Sequence, residues 1–201
     1  TRLFALTVSP LGEVTDKQVR MYRDRAIGGF GFMMVEAATI RDDGKAFPCF
    51  LAADHPRFMP GLSKIVEACH IHGTKVGLQL IHTGRNAQKM FIDKDPVAPS
   101  DKLIWRDKPH VLTTAECEEL IGLYAKAAGI ARLFTLGDLS AHAAQAFGDG
   151  ARVFDTHEAL AYALAAGLRP GVRVLVKGSR GSAMDRIVKA LLQRDAAQNG
   201  G

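Results

Sequence analysis

Residues 112–140 read LTTAECEELIGLYAKAAGIARLFTLGDLS, and the fold depends on how this stretch divides. Thr113 or Thr114 suits an N-cap, and Glu116 falls in the first turn, where a carboxylate is favoured by the helix dipole. Leu120, Ile121, Tyr124 and Ala128 then recur at helical spacing, and Gly129 ends the helix. The short apolar run 133–136 that follows has the form of a buried strand. A helix leading into a buried strand is the repeating unit of a parallel α/β fold.

The same unit recurs on both sides. Upstream, the spacing predicts strands over 3–8, 32–37 and 75–81. Helices are predicted over 16–26, opened by Thr15 and Asp16, and over 60–72, where Leu62, Ile65, Val66 and Cys69 share a face. Gly28, Gly29 and Gly31 read as a helix end; no helix follows them, which favours a cap over a phosphate cradle. Downstream, strands are expected over 133–136, 152–154 and 173–177, with helices over 140–147, 156–166 and 184–192. The expected architecture is α/β, a parallel sheet of about six strands with flanking helices. One open sheet is preferred over two half-sheets because it leaves fewer exposed edges. Any edges that remain offer a route to a homodimer.

The chain has 201 residues, 47% hydrophobic and 23% charged, enough for one sizeable core or two small ones. Its net charge of +5 comes from scattered lysines and arginines. Without a clustered basic stripe and stacking aromatics, nucleic-acid binding is not expected. No apolar run reaches a membrane span, no signal peptide is evident, and the chain opens in an apolar stretch without a methionine, as a trimmed chain would. Cys49, Cys69 and Cys117 are odd in number and lack a CxxC spacing. They read as buried free thiols in a reducing cytoplasm, and no metal site is expected.

In parallel α/β folds ligands collect at the carboxyl ends of strands. Those ends carry Glu36, Ala37 and Ala38 after the second strand, and Gln79, His82 and Arg85 after the third. Gln79 is the most informative, because a carboxamide supplies a donor and an acceptor together. It suits either the pyrimidine edge of a flavin or neighbouring backbone. Residues 86–111, which include PVAPS, form a long irregular connection, and connections of that length are commonly functional.

GEVTDKQVRMYRDRAIGGFGFMMVEAATI (12–40), PGLSKIVEACHIHGTKVGLQLIHTGR (60–85) and PVAPS (96–100) resemble, in order, the N-terminal part of the old yellow enzyme family. These are FMN-dependent ene- and dienoyl-reductases on a (β/α)8 barrel, and the resemblance covers about residues 1–128. It implies that Ala37 approaches the flavin ring, that Gln79 bonds its pyrimidine edge, and that Arg85 lies at the same end of the barrel. The first strand departs from the family: Leu6, Thr7 and Val8 stand where an Ala-Pro-Met/Thr flavin contact is usual. The family's later His-rich substrate motif and phosphate-binding arginine are absent, and about six strands fall short of the eight a barrel needs.

After Gly129 the pattern changes. Residues 125–194, and VLVKGSR (174–180) in particular, resemble the C-terminal domain of the ligase that joins D-alanyl-D-alanine to UDP-N-acetylmuramoyl-tripeptide, a Rossmann-like fold. Lys177, Gly178, Ser179 and Arg180 would place amides and cations before a helix, a weak anion site without the spacing of a Walker loop. His142 and His157 fall at helix starts, where capping or surface roles outweigh catalysis.

The sequence therefore divides into a barrel-derived fragment (1–128), a Rossmann-like fragment (129–195) and a disordered tail (196–201), or one merged domain. The expected function is that of a recombinant chimera with no complete inherited active site, no catalytic residue and no cofactor. The alternative is a cytoplasmic, FMN-binding NAD(P)H oxidoreductase that keeps the site of Ala37, Gln79 and Arg85.

Overall fold

In a computed structural model of the chain, which describes residues 8–104, 106–178 and 180–199, Thr15 opens the first helix. Its hydroxyl accepts the Gln18 N–H at 3.3 Å. Helix α1 (Asp16–Ile27) buries Gln18, Tyr22 and Ala26, one residue per turn along one stripe. Gly29 closes it in the left-handed region at φ +91°, donating to the Ala26 carbonyl. Strand β1 (Phe32–Thr39), the two-residue β2 (Leu51–Ala52), helix α2 (Met59–His70) and strand β3 (Lys75–Ile81) follow.

These elements form a parallel three-stranded sheet in the order β2-β1-β3. Met33, Val35 and Ala38 of β1 face the helices and join Tyr22, Ala26, Leu62, Ile65 and Cys69 in a single apolar core. The opposite face of the sheet is open: Phe32 and Met34 are more than half exposed. Further along, α3 (Lys89–Ile92) precedes a second parallel pair, β4 (Val97–Ala98) with β5 (His110–Val111).

Helix α4 (Thr114–Ala127), strand β6 (Leu133–Leu136), α5 (Asp138–Phe147), β7 (Ala151–Phe154), α6 (His157–Gly167) and α7 (Asp185–Asn199) complete the chain. β6 and β7 pair in parallel. Thr156 caps α6 by accepting the Ala159 N–H at 3.1 Å. Phe154, Leu160, Ala161 and Ile187 form the core of this part. The chain falls into two units, one ending at Thr113 but including Leu123–Gly129, the other formed by Thr114–Gly122 and the residues from Ile130 onward. The first half of α4 thus belongs to the second unit and its second half to the first.

Several expectations need correction. Instead of one sheet of about six strands, the described residues form three parallel sheets of three, two and two strands. Residues 173–177 are not a strand, although Val174, Leu175 and Val176 form a short apolar run. A strand needs a hydrogen-bonded neighbour; among the described residues β7 pairs with β6 alone, and Val174 and Leu175 are exposed. The connection 86–111 contains α3, β4 and β5, and α7 carries the chain through Asn199, into the expected tail. Val8 makes only an isolated antiparallel bridge to Val14; the rest of the expected first strand, with Leu6 and Thr7, lies outside the described residues. All three cysteines are free, with Cys69 buried and the other two partly so. No helix among the described residues is long and apolar enough to cross a membrane.

Gly122 illustrates how tightly the second unit is built. A Cβ there would lie 2.1 Å from the Ala143 carbonyl oxygen on α5. Glycine to alanine inside a helix ordinarily stabilises by about 1 kcal/mol. Here the close backbone approach reverses the sign. Gly122→Ala is expected to destabilise the second unit by roughly 1–3 kcal/mol, the usual scale of overpacking, read as a lower urea midpoint.

Candidate functional site

The site is built where β1 and β3 end. Their register runs evenly from Phe32↔Lys75 to Val35↔Leu78, then shifts, and resumes at Ala38↔Leu80 and Thr39↔Ile81. Glu36 and Ala37 therefore stand together against the single residue Gln79. This is a β-bulge, which turns side chains out of their alternation and is frequent beside active sites. Gln79 is exposed, so its carboxamide is open to a ligand rather than absorbed by the fold. Beside it, Gly77 leaves room for Phe32 and Met34: a Cβ there would meet Phe32 Cζ at 3.0 Å and Met34 Sδ at 3.1 Å.

Glu36 is held from the helix side. Gln18 Nε2 donates to Glu36 Oε1 at 2.5 Å, and the Glu36 backbone N–H donates to the Tyr22 hydroxyl at 2.9 Å. Gln18 and Tyr22 are one turn apart on the buried stripe of α1. Burial raises the Glu36 pKa, with the Gln18 hydrogen bond pulling the other way. Burial likewise raises that of Tyr22. Gln18 Oε1 is buried without a partner.

One step further along, an ion-pair network ties the two strand ends together. Asp43 sits in a one-turn helix (Asp42–Gly44). Arg41 Nε donates to its Oδ1 at 2.6 Å and the Arg41 Nη2 to its Oδ2 at 2.8 Å. His82 Nε2 lies 3.0 Å from the same Oδ1. The Gly84 backbone N–H donates to His82 Nδ1 at 3.1 Å, so Nδ1 is the acceptor and Nε2 carries the hydrogen that Asp43 receives. Burial would raise the Asp43 pKa, but the bonds from His82 and Arg41 outweigh it and hold the carboxyl well below the usual range. Gly44 is packed under this network, since a Cβ would fall 2.6 Å from Thr39 Oγ1 and 3.1 Å from the His82 ring. The Thr83 hydroxyl donates to the Gly44 carbonyl at 2.9 Å.

The residues singled out from sequence separate into three places. Ala37 and Gln79 meet at the bulge. Arg85 is nearby in the chain, but its Nη1 donates to the Lys102 carbonyl at 2.6 Å and its Nη2 to Ser100 Oγ at 2.8 Å. Its guanidinium fastens the loop that follows PVAPS. Lys177 and Gly178 are exposed, outside any strand or helix; Ser179 is outside the described residues, and Arg180 begins a short turn. The first long helix after them opens with Asp185, which pairs with Lys189 one turn on. Sequence reasoning missed Gln18, Tyr22, Arg41 and Asp43. A glutamine on an otherwise buried helical stripe was the available signal for the first two.

A profile of the NADH:flavin oxidoreductase / NADH oxidase family matches residues 5–147. The chain is similar to a metal reductase of Desulforamulus reducens, 35% identical over 125 residues that cover 61% of this chain and 19% of that protein. It is similar to an NADPH dehydrogenase of Listeria monocytogenes, 32% identical over 138 residues that cover 68% of this chain and 40% of that one. Among solved structures, the old yellow enzyme from a Pichia species aligns with a TM-score of 0.57 at 19% identity, over 93% of this chain and 49% of that chain. That likeness speaks for the barrel fold alone. The chain spans well under half the length of these curated relatives. The family match continues past Gly129 to Phe147, across the start of the segment expected to be ligase-derived, and the comparisons lend that expectation no support.

Asp43 gives a pH-dependent prediction. Its folded pKa is depressed, so its contribution to stability is complete above the unfolded value near 3.9 and is lost as pH falls through the lower folded value. Asp43→Asn is expected to cost about 2–3 kcal/mol at pH 7, allowing for the partly exposed Arg41. The gap between wild type and variant should close on titration below about pH 4, as measured by urea unfolding at each pH.

Proposed function

The chain belongs to the NADH:flavin oxidoreductase / NADH oxidase family, and from that premise we propose that its first unit binds FMN at the β1/β3 bulge and serves NAD(P)H-dependent reduction. This replaces the reading of a folded chimera without chemistry or cofactor. The observation that carries it is the opposition of Ala37 and Gln79 on the open side of a parallel sheet, at its carboxyl end.

The residues fit the group. Ala37 is small enough for a planar ring to approach the strand, and Gln79 offers one donor and one acceptor, the pair that a pyrimidine edge requires. Phe32 and Met34 supply apolar surface beside them. When bound, FMN would supply hydride transfer from a nicotinamide nucleotide to an acceptor. The protein's part is to orient the ring: Gln79 fixes its edge, and the bulge sets how closely the backbone approaches. Arg85 contributes by holding the 100–102 loop beside the strand ends rather than by touching the ring. Asp43 and His82 satisfy one another, which leaves neither as a proton donor.

The test is the visible spectrum of the protein after incubation with FMN and gel filtration. Flavin absorbance should travel with the protein, and Gln79→Ala should weaken binding roughly tenfold, equivalent to about 1.4 kcal/mol and the scale of a net hydrogen bond. A colourless protein fraction, or binding indifferent to Gln79→Ala, would contradict the assignment.

A further inference from the structure

We propose that Gln18 and Tyr22 of α1 are positioning residues, which hold the β1 bulge through Glu36 and so aim Ala37 and Gln79 toward a ligand; the ligand part of this inference rests on the FMN reading above. An extra residue in a parallel pair breaks the ladder and leaves a backbone group without its strand partner. Here that group, the Glu36 N–H, is received by the Tyr22 hydroxyl at 2.9 Å. The carboxylate of the same residue is received by Gln18 Nε2 at 2.5 Å. Two side chains from one helical stripe thus grip the main chain and the side chain of the one residue that the bulge displaces.

With Glu36 drawn toward α1, Ala37 is left as the residue that shares Gln79's position in the register. The helix side of the grip is buried, Gln18 wholly and Tyr22 nearly so, while Glu36 is half-buried. Its construction is not what stability alone would select. Gln18 Oε1 is an unpartnered buried acceptor, and Glu36 is a carboxyl whose burial disfavours its charge. An apolar pair would fill the same space without those costs. A polar grip with an unpartnered acceptor, kept at the point where the strand register changes, fits a device that sets geometry.

Three variants separate positioning from plain packing. Tyr22→Phe removes the acceptor for the Glu36 N–H. Glu36→Leu removes the link to Gln18, while Glu36→Gln keeps an acceptor for Gln18 Nε2 and serves as the rescue. Ile65, a fully buried core residue of α2, is truncated to valine or alanine to match the loss of thermal stability without touching the bulge. The first readout uses the protein without flavin: the backbone amide and side-chain NH2 resonances of Gln79, and the amide of Ala37, in a 15N-labelled sample. The second is the FMN dissociation constant by flavin fluorescence titration.

Tyr22→Phe and Glu36→Leu should move the Ala37 and Gln79 resonances, whereas Glu36→Gln and the stability-matched Ile65 variant leave them in place. FMN affinity should fall roughly tenfold or more with the first two variants, in line with the cost of misplacing a binding group by an ångström or less. If those resonances move but wild-type protein takes no FMN, the positioning device stands and the flavin reading is what fails. If Tyr22→Phe and Glu36→Leu leave Ala37 and Gln79 unmoved, or if Ile65 truncation moves them equally, the inference is overturned whether or not FMN binds.

Discussion

Two residues of β1 face one residue of β3, and that mismatch governs the geometry of the first unit. Before it, Met33 and Val35 point into the core and Phe32 and Met34 point away. After it, Ala38 is back in the core opposite Leu80, and Thr39 stands opposite Ile81. The restored register brings the turn at Asp42–Gly44 against His82 and Thr83, where Asp43 and the Gly44 carbonyl find their partners. A one-residue slip would move every one of these side chains to the wrong face. The bulge and the ion-pair network therefore support each other: one sets the spacing and the other fixes the ends.

The two buried carboxyls on either side of this junction behave in opposite ways, for physical reasons that can be read from their neighbours. Glu36 has one neutral donor, so burial dominates and its pKa rises. Asp43 has a guanidinium and an imidazole N–H, so hydrogen bonding and charge outweigh burial and its pKa falls. Asp43 is thus a fixed anion with its oxygens engaged, suited to holding two loops together. Arg85 plays the same part for the next loop through Ser100 and Lys102. The charged residues at the carboxyl end organise backbone, and the proposed ligand-facing positions are Ala37 and Gln79.

Much of this was legible in the chain itself. Thr15 and Thr156 announce their helices because an N-cap acts locally, and strand 75–81 was bounded by Gly73 and the change to polar residues after Ile81. Ala37 and Gln79 were marked by their place at strand ends. What remained hidden depends on partners distant in sequence. The bulge exists only when β1 and β3 are laid side by side, and the role of Gln18 appears only once Glu36 is seen across 18 positions. Asp43 looked like a loop acid until His82, 39 positions away, met it. The apolar run 174–176 suggests a strand, but among the described residues it has no neighbour to pair with.

The measurement that tests this account most directly is a 15N chemical-shift titration of the intact chain with FMN. The account predicts perturbations concentrated at Ala37–Thr39 and Gln79–His82, with Gln18 and Tyr22 responding through Glu36 and the second unit unaffected. Perturbations centred elsewhere, or none at millimolar FMN, would contradict the claim that the β1/β3 bulge is built to receive a flavin.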